Sequence, residues 1–97
     1  MPFLRYQQVM VQNAVLDVAA LNIPQGTARA QIHVTTQPVR YTMDGATVPT
    51  VTVGMEFTVG NAPEWFDIED LQRIQFISGA GANAFLNIHY WATRVGL

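Results

Sequence analysis

The chemistry open to this chain rests on two histidines, seven carboxylates, one serine and a set of aromatic rings. A metal centre in a small β-barrel wants two or three histidines and a carboxylate converging, with a His-x-His pair on one strand. His33 and His89 make no such pair, and Glu56 is the one acid open to a third position. They read as surface or hydrogen-bonded histidines, and no metal is expected. Four acids crowd together at Glu64, Asp67, Glu69 and Asp70, beside Trp65 and Phe66. Glycoside hydrolysis needs two carboxyl groups facing each other about 5 to 10 Å apart across the scissile bond, which neighbours in one loop rarely do. The spacing also misses the alternating acids and terminal Glu of an EF-hand loop, so a solvated acidic loop is the expectation. Ser78 is followed by Gly79 but lacks the Gly-x-Ser-x-Gly elbow of a hydrolase. No catalytic or cofactor constellation emerges, and no enzyme activity or cofactor is expected.

The aromatic rings remain. Tyr6, Tyr41, Trp65, Tyr90 and Trp91 suit a core or a protein contact, and exposed Trp or Tyr on a β-sandwich face also stacks on sugars. Tyr6, Trp65, Phe66 and Trp91 are the candidate interface residues. A carbohydrate-binding β-sandwich module is the distant alternative.

The elements that must position these groups read as strands. From Val39 to Met55 the chain offers a Val, Tyr and Thr-rich run, an Asp44-Gly45 dipeptide and a second such run. Asp-Gly supplies positive φ at a reversal, so a tight hairpin is expected there. In its second strand Val51, Val53, Met55 and Phe57 alternate with Thr52, Gly54, Glu56 and Thr58, and mid-strand Gly54 marks a bulge or a close backbone approach. Ala30, Ile32 and Val34 alternate with Gln31, His33 and Thr35, and Leu86, Ile88 and Tyr90 alternate with Phe85, Asn87, His89 and Trp91. Each is a half-buried strand. Trp65 to Ile77 mixes helical and strand spacing, and a short turn at Glu69-Asp70 followed by a strand is favoured. Tyr6 to Ile23 reads as two short strands, with residues 1–20 an arm or edge strand. Turn signals recur at Asn22 to Gly26, Gln37-Pro38, Gly60 to Pro63 and Gly79 to Asn83. The expectation is an all-β single domain over residues 1–97, a β-sandwich or jelly-roll-like barrel of about seven or eight short antiparallel strands.

Composition narrows the partners. Net charge is −2 without a basic run, so no nucleic acid is expected. No stretch approaches the ~18 apolar residues of a membrane span, and the N-terminus lacks the pattern of a signal peptide, so a soluble, unprocessed chain is expected. Cysteine is absent, which leaves the fold to packing. Only 12% of residues are charged, against about 25% in typical soluble domains, while 49% are hydrophobic. The basic residues are five arginines and no lysine, and lysine is the residue most depleted from interfaces. Such a chain is expected to hide surface in an assembly.

One resemblance gives this a setting. The phrase order Ala20-Leu21-Asn22-Ile23-Pro24-Gln25-Gly26-Thr27-Ala28-Arg29-Ala30, Pro38-Val39-Arg40-Tyr41-Thr42-Met43-Asp44-Gly45, Pro49-Thr50, Val53-Gly54-Met55, Arg73-Ile74-Gln75-Phe76-Ile77 and Leu86-Asn87-Ile88-His89-Tyr90 resembles small structural proteins of tailed bacteriophages. It covers most of the chain after residue 14, and it departs from the family's pattern at Met43 and at Trp65-Phe66. The resemblance implies a non-enzymatic virion protein assembled in the host cytoplasm, foremost a capsid decoration or cement protein. Its partners would be the major capsid protein or other virion proteins, and a homo-oligomer, a trimer by preference, would suit local threefold sites. A head-to-tail connector, tail or fibre-associated component is the alternative. The resemblance implies no catalytic residue.

Overall fold

The computed structural model describes residues 3–92. Eight strands make two four-stranded antiparallel sheets packed as a sandwich: β1 (Phe3–Val11), β2 (Leu16–Asp17), β3 (Thr27–Thr35), β4 (Val39–Thr42), β5 (Met55–Phe57), β6 (Glu64–Asp67), β7 (Gln75–Ser78) and β8 (Ala84–Ala92). Among the described residues there is one α-helix, α1 (Ile68–Leu71), a single turn. The first sheet runs β1-β8-β3-β6 and the second β2-β7-β4-β5. Strands therefore pair from the middle of the chain outward: β4 with β5, β3 with β6, β2 with β7 and β1 with β8. This is the strand order of a jelly roll, a long hairpin folded over into two sheets. Its centre is the Val39 to Met55 segment.

Alternation along the strands builds the core. Ala30, Ile32 and Val34 of β3 and Leu86, Ile88 and Tyr90 of β8 are buried from one sheet, and Val39, Tyr41, Phe57 and Phe76 from the other. Leu71 and Ile74 also join the core, and the mixed periodicity of Trp65 to Ile77 follows from one helical turn lying between two short strands. The expected turn at Glu69-Asp70 sits within α1, and the expected strand after it is β7.

The hairpin differs from expectation in its turn. Its strands do pair, with Val39 opposite Phe57, Arg40 opposite Glu56 and Tyr41 opposite Met55, but β5 holds only three residues and a long loop spans 43–54. Side-chain capture of backbone donors is the reason. Asp44 Oδ1 accepts hydrogen bonds from the Ala46 and Thr47 amides at 2.9 and 2.8 Å, which removes those donors from any strand ladder. Thr50 and Val53 then close a second turn on each other, with N to O distances of 2.9 and 3.3 Å. Val51, Val53 and Met55, expected on an inner face, are exposed, and Phe57 alone of that set is buried.

Gly45 has φ +73° and Gly54 φ +123°. A Cβ on Gly54 would lie 3.0 Å from the Tyr41 carbonyl oxygen, so the glycine permits a close approach of the loop to β4. Of the expected arm, Phe3–Val11 pairs along β8 of its own chain as an edge strand. Residues 1 and 2 lie outside the described residues, as do residues 93–97.

Candidate functional site

The acidic segment disperses once folded. Glu64 accepts a hydrogen bond from the Tyr41 hydroxyl at 3.2 Å, Asp67 lies 3.7 Å from Arg29, and Asp70 pairs with Arg73 at 3.2 Å. These three acids of the four answer three different neighbours. The Tyr41 phenol is pushed up to about 12 by burial and by the adjacent Glu64 carboxylate, which favours the neutral donor. Glu56, on β5, pairs with Arg40 at 3.4 Å in the second sheet, while His33 and His89 lie on the first. Among the described residues no group of three or more His, Cys, Asp or Glu is placed to hold a metal ion, and no helix is long and apolar enough to cross a membrane. Ser78 is buried and donates its hydroxyl to the Ala82 carbonyl, which makes it part of the turn into β8.

Two surfaces concentrate the remaining features. On the outer face of the first sheet, antiparallel register sets Tyr6, His89, Gln31 and Trp65 in one row across β1, β8, β3 and β6. The next row brings Gln8, Asn87 and His33 together, and the row on the other side holds Phe3, Trp91, Arg29 and Asp67. The rings touch edge to face: Phe3 with His89 at 5.3 Å, Phe3 with Trp91 at 5.4 Å and Tyr6 with His89 at 5.5 Å between centroids. Trp65 and Trp91 tilt together at 6.1 Å, and the Arg29 guanidinium lies 4.6 Å over the Trp65 ring.

Three of the four candidate interface aromatics therefore share this face. Tyr6 and Trp65 are exposed, and Trp91 is half-buried between its neighbours. Phe66 is the correction. It points inward, is 4% exposed and packs edge to face on Tyr41 at 5.6 Å, because the period of two that turns Trp65 outward turns its neighbour into the core. Sequence reasoning placed Gln31, Asn87 and both histidines on outward faces without joining them. Nothing in a single strand's pattern says that β3 and β8 are neighbours.

The second surface is the 43–54 loop with β5. Val48, Val51, Val53, Met55 and Val59 are all exposed, Met55 at 64%. Arg40 fixes the loop from β4: its Nε donates to the Val51 carbonyl at 2.9 Å and its Nη1 to the Gly54 carbonyl at 3.0 Å. Met43, Val53 and Met55 border an open groove of about 390 Å³ beside Asp44 and Thr47. An exposed valine-rich segment held by an arginine was missed in the sequence because it was read as the inner face of a strand.

The chain matches no protein-family model, no curated protein and no solved structure.

Proposed function

We propose that this domain is a non-enzymatic structural protein of a tailed-bacteriophage virion, a capsid decoration or cement protein that docks on the major capsid protein as a symmetric oligomer, a trimer by preference. The observation that carries the reading is the exposed aliphatic loop. Val48, Val51, Val53 and Met55 are held out by Arg40 on the flank of an edge strand, where burial against a neighbour removes apolar surface from water. At half exposure each such side chain contributes about 1 kcal/mol when covered, so a few of them on each copy of a symmetric assembly suffice for stable docking. The low charge and the absence of lysine fit a surface meant to be covered. The phrase order shared with phage structural proteins supplies the setting. Jelly rolls serve capsid, lectin and cupin domains alike, so the fold by itself does not choose among them.

Quantitative mass spectrometry of purified particles of the phage encoding the chain tests this. The expected result is a copy number comparable to that of the major capsid protein or a simple fraction of it. Absence from the particle contradicts the reading, and a handful of copies supports the head-to-tail, tail or fibre alternative in its place.

A further inference from the structure

We propose that the outer face of the first sheet is a binding site for a short neutral saccharide, separate from the valine-rich docking loop. The site is a cleft of about 220 Å³ lined by Tyr6, Gln31, His33, Pro63, Asn87 and His89. It crosses the sheet, with the Tyr6 ring on the β1 side and the Pro63 ring on the β6 side as apolar walls. Its floor is made of amide and imidazole groups from β3 and β8.

The chemistry of that lining selects the ligand class. None of the six residues carries a carboxylate or a guanidinium, so the cleft holds no permanently charged group and its lining at neutral pH is amide, phenol and imidazole. The nearby Arg29 and Asp67 face each other at 3.7 Å in the row beyond, outside the cleft lining. Gln31, His33 and His89 make no side-chain hydrogen bond among the described residues, and each offers donor or acceptor capacity to a bound molecule. Asn87 is the fixed point. Its Oδ1 accepts from the Tyr6 hydroxyl at 2.6 Å and from Gln8 at 3.1 Å, and its Nδ2 donates to the Thr35 hydroxyl at 3.1 Å. That network holds the Tyr6 ring in place before any ligand arrives, which lowers the ordering cost of binding. Flat rings with an apolar face and a rim of hydroxyls match apolar walls over a hydrogen-bonding floor. The cleft is smaller than the roughly 300–1,000 Å³ of sites for drug-sized ligands, so it suits one or two sugar rings. A protein segment suits the other surface better, because the exposed aliphatic side chains gather there.

The test titrates the isotope-labelled domain with maltotriose, cellotriose, chitotriose, mannotriose and the acidic sialyllactose, followed by amide and imidazole NMR signals. One or more neutral sugars is expected to shift the side-chain signals of Gln31, Asn87, His33 and His89. Gln31→Ala and His33→Ala are each expected to weaken that binding at least ~tenfold, as loss of a hydrogen bond to the ligand does, while the melting temperature and the copy number on the particle stay unchanged. The proposal is overturned if no neutral sugar shifts these signals, if sialyllactose alone does, or if the two variants bind as the parent does. A variant lost from the particle as well as from the sugar would assign this face to virion docking and also overturn it.

Discussion

Asp44 accepts three hydrogen bonds from the segment that follows it, two from backbone amides and one from the Thr47 hydroxyl at 2.5 Å. The Thr47 hydroxyl and those amides hold the carboxyl down at about 2, from an ordinary value of 3.8. The folded state binds this proton less readily than the unfolded chain, so the contribution of Asp44 to stability is present above about pH 4 and is lost as pH falls through about 2. Asp44→Asn is expected to melt at a lower temperature than the parent at neutral pH, with the gap closing over that acid window in a series of thermal melts. The two glycines make different demands. Gly54→Ala meets both positive φ and the Tyr41 carbonyl, whereas Gly45→Val meets positive φ with only ordinary contacts to the Arg73 side chain. Each is expected to destabilise by about 1–3 kcal/mol in urea unfolding, and an unchanged midpoint for Gly54→Ala would show that the loop does not press on β4.

At the scale of elements, the Arg40 guanidinium connects β4 to the loop and to Glu56 of β5. Arg40→Ala leaves the Val51 and Gly54 carbonyls to water and is expected to lower stability by about 1–2 kcal/mol, since its side chain is partly exposed. Hydrogen exchange should show the larger effect, with faster exchange across 47–56 and little change in β3 and β8. These elements were unevenly legible. The strands β3 and β8 alternate cleanly because each has one face on the core, and they lie where the sequence puts them. The loop was misread because Val51-Thr52-Val53 has the composition of a strand, while the Asp44 and Thr50 side chains take the backbone donors that a strand would need. Phe66 was misplaced for another reason. Proximity to Trp65 in sequence means opposition across the sheet, so the two rings cannot share a surface.

For the whole molecule, strand count and class follow from turn spacing and alternation, but the pairing order is a property of non-local contacts that no segment encodes alone. Two buried tyrosines tie strands together through their hydroxyls: Tyr41 on β4 donates to Glu64 on β6 and so links the two sheets, while Tyr90 on β8 donates to Gln7 on β1 at 2.8 Å within the first sheet. Burial pushes both phenols up to about 12, from an ordinary 10.0, with the Glu64 charge adding to the effect at Tyr41. Their stabilisation is complete below about pH 10 and is lost as pH rises through about 12, because the unfolded chain ionises first. Alkaline melts of Tyr41→Phe and Tyr90→Phe should each fall less steeply across that window than those of the parent. Assembly is the remaining property at this scale, and the proposed function places it at the exposed valine-rich loop. Cryo-electron microscopy of the intact phage particle should show this sandwich repeated at symmetry-related positions on the capsid shell, with residues 48–59 covered by a neighbouring protein. A map with the sandwich confined to the tail, or with that loop facing solvent, would contradict the assignment.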